Sequence, residues 1–153
     1  MLALLLATML HGPADIETLT ASADAVAHAQ VAGSESHWAN GQIFTTFRLK
    51  TLEVAWKGST EPEFRVLVEG GTVGDYVQTV QGVAQFTTGE EVVVFLKRRT
   101  AGVYSVDHMA LGKFALQGPR ALRDRRGLTC VGCASSEPDE VSLSDLRARV
   151  LRK

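Results

Sequence analysis

Cys130-Val131-Gly132-Cys133 carries the sharpest chemical spacing in the chain. Two thiols so placed can close a small disulfide, exchange electrons with other thiols, or supply half of a zinc site. Zinc needs four ligands, and neither a second cysteine pair nor a nearby histidine completes the set. Haem attachment is excluded because Ala134 follows where a histidine is required. A thioredoxin-like centre wants its first cysteine at a helix start in a βαβ setting, whereas Cys130 falls in a loop of a β-rich chain. The pair is therefore read as a disulfide candidate, Cys130 with Cys133, of structural role. Its loop is too small to add much stability through chain entropy. Thiol–disulfide activity is the alternative.

The remaining reactive residues form no recognised constellation. His11, His28, His37 and His108 show neither HxH nor HExxH spacing. His37 lies between Glu35 and Trp38 and could touch a metal, but a solvated loop histidine is the simpler reading. The same holds for His108 after Asp107. There is no G-x-S-x-G elbow, P-loop or G-x-G-x-x-G, and Gly70 to Gly74 read as turn glycines supplying positive φ. Arg120, Arg123, Arg125 and Arg126 could grip phosphate. Glu137, Asp139 and Glu140 just downstream favour a charged, solvated loop instead. No catalytic residue, metal site or cofactor is expected. The binding-loop candidates are Gly71, Gly74, Asp75 and Tyr76 in a glycine-punctuated loop, with His37 and Trp38 in a turn.

Elements must carry these loops. Asp15 to Ala23 reads as a short helix, with Ile16, Leu19 and Ala23 at helical spacing behind Pro13. Val26 to Val31 alternates as a first strand, and Gly33 to Gly41 is turn chemistry ending in Asn40-Gly41. Ile43 to Trp56 reads as one long strand whose apolar parity changes near Lys50-Thr51, the mark of a bulge that curls a sheet. A polar turn begins at Trp56-Lys57-Gly58, and Glu63 to Glu69 alternates cleanly. Tyr76 to Val83 is a weaker strand. Val92 to Leu96 is continuously apolar, as in a strand covered on both faces. Tyr104 to Val106 and Lys113 to Leu116 complete the strands. Ser142 to Asp145 opens a final helix as a capping box, with Val141 and Leu146 as the staple and Leu143, Leu146, Val150 and Leu151 as the apolar stripe. The expectation is a mainly β fold: a small antiparallel OB-like barrel with a short N-terminal helix and a C-terminal amphipathic helix.

A length of 153 residues with 45% hydrophobic content suits one domain with a real core. The net charge of -1 offers no global field for nucleic acid or an anionic membrane. Met1 to Leu10 is apolar but too short to span a bilayer, so no integral membrane segment is expected. It reads as the core of a signal peptide lacking its basic start, with cleavage near Gly12 to Ala14 rather than at Ala27-His28-Ala29. This divides the chain into a signal peptide (1–14), a β-barrel domain (15–118), an irregular loop with the CxxC (119–140) and a helix (141–153). The expected localisation is secreted or periplasmic.

Several short runs resemble a family. Ala23-Asp24-Ala25-Val26, the strand end Leu52-Glu53-Val54-Ala55-Trp56-Lys57-Gly58, the strand Thr88 to Leu96 and Gly112-Lys113-Phe114 resemble small exported bacterial proteins of unassigned function. Their pattern is similar to the netrin-like domain of tissue inhibitors of metalloproteinases. The resemblance implies a five-stranded barrel that binds ligands on one face. The inhibitors' zinc-blocking mechanism does not carry over, because it uses an N-terminal cysteine and this chain's cysteines are Cys130 and Cys133. The expected function is a secreted or periplasmic, non-enzymatic binding module with a protein partner. The alternatives are a thiol–disulfide active protein using the CxxC pair, or a structural envelope or matrix component.

Overall fold

The computed structural model describes residues 9–12, 14–131 and 138–152. Strand β1 (Met9–His11) precedes helix α1 (Ile16–Ser22). The Asp15 side chain accepts from the Thr18 amide at 2.7 Å, which satisfies one orphan donor at the start of α1. Strands β2 (Ala25–Ala39) and β3 (Gln42–Thr51) form a long hairpin, and β4 (Glu63–Glu69) pairs with β3. Strands β5 (Gly71–Val73) and β6 (Tyr76–Gln78) make a separate two-stranded ribbon. Strands β7 (Glu91–Thr100), β8 (Val103–Val106) and β9 (Lys113–Gln117) follow. Strands β10 (Arg120–Leu122), β11 (Leu128–Cys130) and β12 (Glu140–Ser142) lead into helix α2 (Leu143–Leu151).

One sheet of eight strands has the order β12-β10-β9-β7-β2-β3-β4-β8. One edge of β7 pairs with β2 along Ala25↔Leu96 to Gln30↔Glu91. Its other edge is divided: Val92 to Val94 pair with β9, while Leu96 to Thr100 pair with β8. Strand β8 also meets β4, in parallel, at Arg65↔Val103 and Val66↔Tyr104.

The expected small antiparallel OB-like barrel is not what forms. The fold is mixed α/β, built on a large, mostly antiparallel sheet that is not closed into a barrel: it runs out past β7 through β9 and β10 to β12. The physical reason lies in the C-terminal third. Strands β9, β10 and β12 extend the sheet, and both helices pack on that extension, so a second core is needed. One core gathers Ala25, Ala27, Ala29, Leu49, Phe64, Val66, Val92, Val94, Leu96 and Tyr104. The other gathers Ile16, Leu19, Val26, Trp56, Val93, Phe95, Phe114, Ala121, Leu146 and Val150 beneath the helices. Strand β7 feeds alternate side chains to each, which is why its sequence is continuously apolar.

Other expectations also shift. The irregularity in the β2–β3 pairing falls on β2 between Val31 and Gly33, not at Lys50-Thr51, where β3 simply ends. Trp56 belongs to no strand; its ring is buried in the second core, and Lys57 makes an isolated bridge to Val26. The turn expected over Gly33 to Gly41 shrinks to Asn40-Gly41, with φ of 51° and 78°, because β2 continues to Ala39. The segment expected as an irregular loop over 119–140 contains β10, β11 and the start of β12. Of the segment expected as a signal peptide (1–14), residues 1–8 and Pro13 lie outside the described residues; β1, within that segment, pairs in parallel with β11, and Ala14 is buried.

Helix α2 starts as expected, with the Asp145 amide donating to Ser142 Oγ at 3.1 Å. Its carboxylate does not close the capping box but lies 3.8 Å from Arg149 Nη1. Among the described residues no helix is long and apolar enough to cross a membrane.

Candidate functional site: an aromatic hairpin tip

The β2–β3 hairpin extends beyond the first core, and its far end would leave one sheet face bare. The β5–β6 ribbon covers that face. Register puts Ser36 opposite Thr45 and Trp38 opposite Ile43, so these four share a face. Ser36 Oγ and Thr45 Oγ1 are 2.8 Å apart, and Thr45 Oγ1 lies 2.8 Å from the Gly70 carbonyl. The Gly70 amide donates to the Ile43 carbonyl at 2.8 Å, and the Ile43 amide donates to Gln78 Oε1 at 2.8 Å. These bonds stitch the ribbon to the hairpin.

Gly71 makes the approach possible. Its φ is 137°, and a Cβ there would stand 2.3 Å from Thr45 Oγ1 and 2.7 Å from Ser36 Oγ. The turn Gly74-Asp75 then reverses the ribbon, with Gly74 at φ 58°. Tyr76 emerges against Trp38, ring centroids 5.5 Å apart and planes at 75°. Such an edge-to-face pair is a favoured aromatic geometry. Both rings remain open to solvent, Trp38 at 49% and Tyr76 at 66%, with Val77 at 71%. Behind them a cleft of about 340 Å³ is lined by Thr45, Glu69, Gly71, Val77, Gln78 and Gln85 among others.

Of the residues singled out from sequence, Gly71, Gly74, Asp75, Tyr76 and Trp38 therefore meet at one tip. His37 does not. It points to the opposite face and stacks on Phe44, centroids 6.4 Å apart.

The cysteine pair lies elsewhere. Cys130 ends β11, half-buried, and is disulfide-bonded; Cys133 lies outside the described residues. The parallel pairing sets His11 of β1 in register with Cys130. The four arginines divide: Arg120 and Arg126 are exposed, as expected of a solvated stretch, whereas Arg125 is half-buried and Arg123 is buried. Arg123 is buried, donating to the Ala14 carbonyl at 2.7 Å, and its guanidinium lies 5.3 Å from the Phe114 ring centroid. Arg125 pairs with Asp139 at 2.7 Å, Arg120 with Glu140 at 3.0 Å, and Arg126 with Asp124 at 2.6 Å. Arg126 beside Asp124 holds that carboxyl below its ordinary range.

Two polar clusters lie apart from the tip. His28 sits between Glu91 and Glu53, at 3.5 and 3.8 Å, with the Trp56 ring 6.0 Å away. The Trp56 indole N–H donates to Glu53, and this bond, aided by the charges of His28 and Arg147, keeps the Glu53 carboxyl below its ordinary range. The second cluster is Asp107 with His108, 3.0 Å apart at a turn where His108 and Met109 both have φ of 56°. The first cluster draws its members from separate elements, so no linear spacing marks it; Asp107 and His108 are neighbours in sequence, but the burial of Asp107 is set by the fold. Among the described residues no group of three or more His, Cys, Asp or Glu side chains is arranged to hold a metal.

No protein-family model matches the chain, and no curated protein is significantly similar to it. The netrin-like and OB-like labels suggested by the short sequence runs are accordingly withdrawn.

Proposed function

We propose that the chain is a non-enzymatic binding module that engages a protein partner through the Trp38–Tyr76 tip. The observation that carries this reading is the exposed edge-to-face pair, with Val77 beside it. Large aromatic side chains left half-open in one patch cost free energy in water that a partner's surface would recover. Rigid Trp and Tyr anchors also lose little conformational entropy on binding, which makes them frequent centres of interfaces. The hydrogen bonds from Ile43, Thr45 and Gly70 hold the ribbon in place before any partner arrives, which lowers the ordering cost.

The reading includes a secreted or periplasmic localisation. The disulfide at Cys130 supports it, since such bonds persist in oxidising compartments. A photo-crosslinking residue installed at Thr72, on the exposed part of the ribbon, tests the reading in the native cellular envelope and medium. A discrete adduct with another protein is expected, abolished by Trp38→Ala and unchanged by Val54→Ala, a change at an exposed residue far along the chain. An adduct that survives Trp38→Ala, or none at all, overturns it. An adduct with a second copy of the chain would replace the partner reading with that of a self-associating structural component.

A further inference from the structure

The far end of β7 carries an extra residue. Arg98 is the register partner of Tyr104 in β8, and Thr100 that of Val103, so two steps along β7 meet one along β8. Arg99 is the residue left over. A bulge of this kind re-aims a side chain. Here Arg99 Nε donates to Ser105 Oγ at 3.2 Å, which turns the side chain back over β8. Among the described residues no carboxylate pairs with the Arg99 guanidinium.

Arg99 lines a second cleft, of about 200 Å³. Register pairs Phe44 with Glu69, and the strand period of two puts Leu67 on their face, opposite to that of Trp38 and Thr45. Phe44, Leu67, Val106 and Met109 give the cleft half-buried apolar walls. Glu69 lines it too; it is exposed and, like Arg99, meets no opposite charge among the described residues. Two opposite charges thus border one apolar cleft without joining each other. The Met109 wall is held there under backbone strain. The described non-glycine residues with positive φ are Asn40, which serves the hairpin turn, and the consecutive pair His108 and Met109, both at 56°. The Ala110 amide donates to the Gly82 carbonyl at 2.9 Å, which ties this turn to the segment whose Val83 and Ala84 also line the cleft. Strain of this kind persists only where the surroundings enforce it, and it gathers at ligand sites.

We propose that this cleft binds a free α-amino acid with an apolar side chain. The ligand carboxylate meets the Arg99 guanidinium, whose planar fork of donors suits that anion. The ligand ammonium meets Glu69. The ligand side chain lies against Phe44, Leu67 and Met109, and the unbranched thioether of Met109 adapts to its shape. A simple apolar acid would answer Arg99 but set a second negative charge beside Glu69. A simple amine would do the reverse, and a zwitterion satisfies both. The volume falls below the roughly 300–1,000 Å³ of sites for drug-sized molecules, so the occupant is small. Because the cleft opens on the face away from Trp38, this proposal stands independently of the partner reading.

The test titrates the isotope-labelled whole chain with L-leucine, L-methionine and L-phenylalanine and follows the amide resonances. Saturable shifts at Leu67, Ser105 and Met109 are expected with at least one of the three. For that amino acid, converting the carboxylate to an amide, or removing the α-amino group, is expected to weaken binding about tenfold, the scale of one lost charge-assisted hydrogen bond. Arg99→Gln and Glu69→Gln are each expected to weaken it by a similar factor. Both side chains are exposed, so neither change disturbs a core. Absence of saturable shifts with all three amino acids overturns the proposal. So does binding that ignores the loss of the ligand's carboxylate or amino group, or that both substitutions leave unchanged. The altered ligands probe the native chain, so they decide the matter should a variant fail to fold.

Discussion

A single hydrogen in place of a side chain decides how the aromatic tip is built. At Gly71, φ of 137° already disfavours any L-residue, and a Cβ would enter the space held by Thr45 Oγ1 at 2.3 Å. Gly71→Ala is therefore expected to lower stability by about 1–3 kcal/mol in urea unfolding, and to weaken crosslinking at the tip by releasing the ribbon. An unchanged unfolding midpoint would show that the ribbon contributes nothing to the fold. Part of this site was legible in the chain. Paired glycines, Asn40-Gly41 and Gly74-Asp75 announce turns through their tolerance of positive φ, and the aromatic residues beside them stand out. What could not be read was which face each residue takes, and so His37 and Trp38, adjacent in sequence, part company. Likewise nothing in residue type distinguishes Arg123, whose side chain is 1% exposed, from Arg126 at 89%. The difference is set by the packing of Phe114 and the path of the chain at Ala14.

Elements dock through polar clamps as well as apolar faces. Arg149 of α2 donates to both carboxylate oxygens of Glu17 in α1, at 2.8 and 2.6 Å, just outside the apolar contact of Leu146 and Val150 with the second core. The Arg149 guanidinium holds the Glu17 carboxyl below its ordinary range. A carboxyl whose folded pKa is depressed contributes stability above its unfolded value, about 4.3, and loses it as pH falls through the folded value. The stability advantage of wild type over Glu17→Gln should thus be present at neutral pH, shrink in acid, and diminish with added salt because Glu17 is exposed. An advantage that grows on acidification would contradict this. At this scale the long alternating runs, such as Glu63 to Glu69, match their strands because burial on one face imposes a period of two. Three-residue strands such as β10 and β12 are too short to show a period. They exist because β9 offers an unpaired edge, which is information held in the tertiary structure.

The molecule as a whole turns on β7. Every residue from Val92 to Leu96 is fully buried, and successive side chains alternate between the two cores. Its second edge is shared between β9 and β8, so the curled part of the sheet and its helix-covered extension hang from one strand. The sequence disclosed a strand buried on both faces there, but not that a single strand would serve two layers, because the partners of its second edge lie downstream in β8 and β9. The consequence is kinetic and cooperative. Neither layer can open without breaking into β7, so heat should melt the molecule in one transition rather than two. The amides of Val92 to Leu96 should be the slowest to exchange with deuterium, at a rate set by global unfolding. Two resolved melting transitions, or slower exchange in β2 than in β7, would contradict that expectation. A substitution in this strand then has no local reach: damage on either side of it becomes damage to the whole.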